Sequence, residues 1–189
     1  YGSIFVVFRK ESSSDRSDGP NFPTWQQVQS IAGRWNVTFD AKWGGPEQPV
    51  RFDTLTDWTE HTALGIKYYS GKAVYRTTFW LDDDPVGKPL AIALGDVQDV
   101  GIARVIVNGT DLGMVWRPPF RAEISKAVKR GENNLEVTVV NSWRNRLIGD
   151  RDLPEQQRFT RTNIAVTKSW ALESSGLLGP VVLQMKDAP

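Results

Sequence analysis

The sequence predicts an all-β sandwich, and three observations carry that prediction. Short segments of two-residue hydrophobic alternation recur from Ile31 onward, turn residues separate them, and an Asn108-Gly109 pair joins two of them. Alternation at this period sends every second side chain to one face of a strand, so each segment offers one apolar face to a core. Many short strands of this kind, linked by polar turns, close into a sandwich or a barrel.

The elements follow in order. Ile4 to Phe8 is an apolar run of β-branched and aromatic residues, and ESSSDRSDGPNFP after it is polar and broken by Gly19, Pro20 and Pro23. That pattern predicts a strand and then a linker. A strand so placed is expected to close a preceding domain. Residues 1–10 are therefore assigned to that domain, 11–24 to the linker and 25–189 to the sandwich. Strands are predicted in GRWNVTFD, VRFDTLTDW, AVYRTTFWL, PLAIALG, ARVIVNG, LGMVW, LEVTVVN and PVVLQM. Between Ala103 and Trp116, Arg104, Ile106 and Asn108 face opposite to Val105 and Val107. Asn108-Gly109 supplies the positive φ of a tight hairpin, and Leu112 to Trp116 is the return strand. Ile124, Ala127 and Val128 have helical spacing and Gly131 stops it, which predicts a single helical turn and no other helix.

Composition narrows the function. A chain of 189 residues can bury roughly two-thirds of its unfolded surface and needs no staple. Its 23 Lys and Arg nearly cancel 22 Asp and Glu, so no strong field draws it onto nucleic acid or an anionic membrane. The absence of cysteine excludes disulfides, thiolate zinc sites and a thiol nucleophile. No apolar run reaches the length of about 20 residues that crosses a bilayer, and YGSIFVVFRK lacks the pattern of a signal peptide.

Particular residues then carry a family resemblance. In LTDWTEHTALGIKYYSGKAVYRTTFWL, Leu55 to Leu81, a Tyr-Ser-Gly precedes a strand carrying Tyr-Arg. Next come an apolar strand ending in Leu-Gly, a hairpin with Val-Asn-Gly and Leu-Gly-x-x-Trp, and a Gly-Glu-Asn-x-Leu opening the last long strand. This order resembles the sugar-binding-like sandwich of family 2 glycoside hydrolases. With SIFVVFRK, the Asn-Arg-Leu-Ile-Gly-Asp of residues 145–150 and SSGLLGPVVL, it resembles the C-terminal region of bacterial α-L-rhamnosidase-like enzymes of glycoside hydrolase family 106. The resemblance implies a jelly-roll β-sandwich of the galactose-binding-like kind, packed against a catalytic barrel that holds the reacting carboxylates. It also implies an extracytoplasmic location, periplasmic or secreted, as part of a larger protein.

The candidate chemistry is weighed on that basis. Glycoside hydrolysis needs two carboxyl groups about 5 Å or roughly 6.5–9.5 Å apart. Asp53, Asp57, Glu60, Asp96, Asp99, Asp150 and Asp152 are available, but among 22 acidic residues some such pair arises by chance, so no catalytic residue is assigned. His61 is the lone histidine and is expected to be structural. Of eight tryptophans, Trp35 alternates with Val37 and Phe39 and belongs to the core, and Trp80 is ambiguous. Trp43, Trp58, Trp116, Trp143 and Trp170 lie near turns or strand ends, where a ring can face a groove and stack on a sugar, but packing in the core or against a neighbouring domain is preferred for each. The polar cluster of Trp143, Arg144, Asn145, Arg146, Gly149, Asp150, Arg151 and Asp152 is expected in a strand-end loop, with Arg117-Pro118-Pro119 on the same rim. Trp116, Arg117, Trp143, Arg144, Asn145, Arg146, Asp150 and Trp170 are thus the candidates for carbohydrate or interdomain contact, the interface being preferred. Asp82-Asp83-Asp84 reads as a solvated turn. A structural calcium stays open with no ligands assigned, and no other cofactor is expected.

The chain is therefore expected to be a non-catalytic accessory domain of a secreted glycoside hydrolase, inactive alone. Its partners are the catalytic domain of the same chain and, as a further expectation, carbohydrate. An independent carbohydrate-binding module, a protein-interaction domain and a free-standing enzyme are the alternatives.

Overall fold

A computed structural model describes residues 23–98 and 101–187. The predicted strand at Ile4 to Phe8 and all of the linker before Pro23 lie outside the described residues, as does Asp99. The described chain runs β1 (Trp25–Ser30), β2 (Trp35–Phe39), β3 (Val50–Phe52), α1 (Leu64–Lys67), β4 (Lys72–Leu81), β5 (Leu90–Ala93), β6 (Asp96–Gln98), β7 (Ile102–Val107), β8 (Thr110–Val115), β9 (Arg121–Glu123), β10 (Gly131–Val140), α2 (Arg144–Arg151), β11 (Gly176–Gly179) and β12 (Val182–Lys186).

The fold is the expected all-β jelly-roll sandwich. One sheet has the order β3-β2-β4-β10-β7-β8 and the other β1-β12-β5-β9, with β6 and β11 forming a separate pair. Every pairing between these named strands is antiparallel. The predicted alternation is realised most fully in β10 and β7, where Leu135, Val137, Val139, Ala103, Val105 and Val107 are buried and the residues between them face outward. Pairing Val137 with both Tyr75 and Val105 aligns these faces across the sheet. They meet Leu90, Ile92, Ala122 and Leu183 of the opposite sheet in one continuous core. The sequence misses β1, β6, β9 and β11, each short or polar enough that cross-strand partners decide its conformation.

The Asn108-Gly109 hairpin forms as predicted: both residues have positive φ, 51° and 80°, and Val107 faces Thr110. Asn108 does more than turn the chain, since its side chain also bonds Asn133 and the Ala127 carbonyl. The helical turn at Ile124 is present, with the Ala127 and Val128 amides bonding the Ile124 carbonyl.

Four buried aromatic residues pack together in this core. Trp58 is fully buried, which agrees with the preference for packing over sugar stacking. Its Nε1 donates to the Tyr75 hydroxyl at 2.6 Å, and the two rings stack. Phe39 packs edge-on against both Trp58 and Tyr69. A buried indole keeps its full area out of water only because its N–H has found a partner, and Tyr75 supplies it.

Candidate functional site

The polar cluster expected in a loop is a helix. α2 spans Arg144–Arg151 directly after β10, and its local sequence argues against it. Gly149 weakens it, Trp143 offers no capping side chain, and an Arg four residues before an Asp is the less favourable order for a helix pair. Tertiary contacts supply what the local sequence lacks. The Ser70 hydroxyl accepts from the Arg146 amide at 3.0 Å, acting as a cap from 76 residues away. Gly149 is needed because a Cβ there would lie 2.6 Å from that of Tyr68.

Four of the predicted polar residues are committed within the domain. Asn145 donates to the Glu173 carbonyl at 2.7 Å and to Ser175, and accepts from the Glu173 amide at 2.9 Å, tying α2 to the segment before β11. Arg144 bonds the Ala171 carbonyl, pairs with Glu173 at 3.1 Å and lies 4.8 Å over the Trp170 ring. Trp170 is thereby held against α2 and only partly exposed. Arg146 and Asp150 form a buried pair with side chains 5% and 4% exposed. Their Nε and Oδ1 lie 3.0 Å apart, but the N–H is not aimed along that line, so the contact is ionic without being a hydrogen bond. Burial pulls the Arg146 guanidinium down and the Asp150 charge acts against that pull. Asp150 is satisfied through Oδ2, which accepts from the Thr160 amide at 2.8 Å and its hydroxyl at 2.7 Å.

What faces outward is aromatic and basic. Trp143 is 48% exposed and stands edge-on to Trp43 at 4.8 Å. Phe159 is 40% exposed, and its ring rests on the Arg146 guanidinium at 4.8 Å. Gly44, at φ 81°, permits this packing, since a Cβ there would lie 2.9 Å from Phe159. Trp43, Trp143, Phe159, Arg161 and Ile164 line a groove of about 490 Å³. A second groove of about 310 Å³ runs beside it along Arg151, Arg158 and Arg161. Phe159, Arg161 and Ile164 are the functional candidates that the sequence missed. They lie in the long segment between α2 and β11, whose length without regular strands was the available signal.

Trp116 and Arg117 are elsewhere, which corrects the expectation of a shared rim. They line a separate groove of about 420 Å³ with Pro23, Trp25, Arg121 and Glu123. Trp116 is 68% exposed, and Arg121 covers the Trp25 ring at 4.9 Å while bonding Gln184 at 2.7 Å.

Several of the remaining acidic residues, and the lone histidine, are engaged within the domain. Asp53 pairs with Arg51, Asp152 with Arg151 and Asp83 with Lys88. Asp57 accepts from Thr59 and from the Ser175 amide. His61 stacks on Phe52 and accepts from the Ala63 amide. Among the described residues there is no cluster of three His, Cys, Asp or Glu suited to a metal ion. No helix among them is long and apolar enough to cross a membrane.

Fold and surface together define a β-sandwich module that carries aromatic and arginine-lined grooves. Comparison with known proteins gives that class a context. The rhamnosidase from Novosphingobium sp. PP1Y matches with a TM-score of 0.82 at 36% identity, over 94% of this chain and 17% of that one. A protein of Formosa agariphila, whose name assigns it provisionally as a β-glucuronidase, is 38% identical over 181 residues, covering 82% of this chain and 15% of its own length. A β-glucuronidase from Ruminococcus gnavus, at 22% identity and a TM-score of 0.50 over 65% of this chain, shares the fold alone. No family model matches. The resemblance to the β-sandwich of rhamnosidase-like glycoside hydrolases therefore holds, and the chain corresponds to a domain-sized part, about one-sixth, of these relatives.

Proposed function

We propose that the chain is a non-catalytic accessory β-sandwich of a secreted bacterial glycoside hydrolase with an α-L-rhamnosidase-like catalytic domain. One observation carries the reading: 94% of this chain superposes on 17% of a rhamnosidase, so the likeness is to a module within an enzyme and leaves most of that enzyme unmatched. The burial of Asp150 against Arg146 and the bonds that Asp57 accepts from Thr59 and Ser175 support it, because a catalytic carboxyl must reach substrate.

The groove of Trp25, Trp116 and Arg117 is the face that packs against the rest of the enzyme. Residues 1–22 join the described domain beside it at Pro23, and exposed Trp and Arg are the side chains that anchor interfaces. The test compares the 189-residue chain with its parent enzyme on aryl rhamnosides and aryl glucuronides. The expected result is turnover by the parent and none by the chain; turnover by the chain at the parent's rate would refute the proposal.

A further inference from the structure

We propose that the two grooves beside α2 form one binding site for an acidic saccharide, with a pyranose ring lying on Trp143 and Phe159 and its carboxylate held by Arg161. The inference deepens the accessory-domain reading, and rests on it, by giving that domain a ligand. Leu147, Thr160, Arg161, Thr162 and Ile164 line both grooves, so the two are one trough with an apolar half and a basic half. Their volumes fall within the range of small-molecule sites.

The apolar half is prepared for stacking. The C–H face of a pyranose packs on an aromatic ring, and a ring fixed in advance loses little freedom when it does so. Trp143 is fixed by Trp43, and Phe159 is backed by Arg146, itself held by Asp150. Both rings keep nearly half their surface open.

The basic half gives the chemistry its sign. Arg151 is occupied by Asp152 and the Thr167 carbonyl, and Arg158 by the Leu153 carbonyl. Arg161 has no hydrogen-bond or ion-pair partner among the described residues and is exposed at the junction of the two halves. The carboxylates lining the trough are Glu155 and Asp150, and Asp150 is committed to Arg146 and Thr160. A positive excess with one uncommitted guanidinium fits an anion. The planar fork of Arg matches a carboxylate through two parallel hydrogen bonds, which selects a uronate over a neutral sugar.

The experiment titrates the 189-residue chain with a glucuronate oligosaccharide, its neutral glucose counterpart and a sulfated counterpart, following calorimetric heat and tryptophan fluorescence. The glucuronate is expected to bind, with the neutral sugar weaker by roughly 10- to 100-fold, the loss expected for one charged hydrogen-bond pair. Arg161→Ala should impose a similar loss on the glucuronate alone, and Trp143→Ala should weaken both sugars. Both side chains are exposed, so unchanged thermal unfolding certifies the fold of each variant. Equal affinity for neutral and acidic sugars, preference for the sulfate ester, no binding by the chain, or an unaltered R161A titration would each overturn the proposal. Absence of binding leaves the accessory-domain reading standing, whereas turnover by the chain defeats that reading whatever the titrations show.

Discussion

Replacing Asp150 by alanine tests whether α2 is held by the buried ion pair and the bonds around it. The side chain is 4% exposed, faces Arg146 at 3.0 Å and accepts two bonds from Thr160. Removing one partner of a buried pair costs about 3–5 kcal/mol, mainly because the remaining charge stays buried and uncompensated. The substitution also strands the Thr160 amide and hydroxyl, so the loss should reach at least the lower bound of that range, about 3 kcal/mol. For a chain of this size that corresponds to roughly 6–12 °C in Tm. The assay is calorimetric unfolding of wild type, Asp150→Ala and the double variant Arg146→Met/Asp150→Leu, with hydrogen exchange of the 144–151 amides read alongside to detect opening of α2 alone. The double variant buries no charge and should recover most of the loss. A loss below about 0.5 kcal/mol in the single variant, or a double variant no more stable than the single, would refute the reasoning.

Two further predictions follow from the core and from a loop brace. Burial pushes the Tyr75 phenol up, so it stays neutral and serves as acceptor for the Trp58 indole and the Leu177 amide. Tyr75→Phe strands both donors and should cost about 1–3 kcal/mol in urea unfolding with an unchanged m-value; wild-type stability would contradict the bond assignment. Burial pulls the Asp57 carboxyl up, yet hydrogen bonds from Ser174, Thr59 and Ser175 together outweigh it and hold the group below its ordinary value. A lowered folded pKa means that this contribution is complete above the ordinary carboxylate range and fades as pH falls through it. Asp57→Asn should therefore lower Tm at about pH 7 and show a shallower fall toward about pH 3, whereas parallel Tm curves for the two proteins would count against the brace.

The legibility of the fold in the sequence differs by element for a physical reason. In β4, β7 and β10 the apolar alternation and the buried face coincide, since one face of each strand meets the opposite sheet and the other meets solvent. Asn108-Gly109 announced its hairpin because positive φ is a property of those residues themselves. The site was less legible. Trp143, Arg144, Asn145, Arg146, Asp150 and Trp170 do come together around α2, but the helix is capped by Ser70, a residue no local pattern connects to it. Trp58 and Trp143 both follow or adjoin polar residues near turns, yet one is sealed beneath Tyr75 and the other is nearly half exposed.

By itself, then, the sequence determined the all-β class, the main strand faces, the central hairpin and the presence of an Arg- and Trp-rich segment after β10, because these rest on periodicity and on backbone preferences of single residues. Only the tertiary structure decided which charges cancel one another inside and which remain available outside. Arg146 and Arg161 are the same residue type 15 positions apart in the chain; Asp150 and Phe159 enclose the first, while the second stands exposed over the groove with no partner among the described residues. That difference is one of desolvation and partner geometry, which no reading along the chain contains.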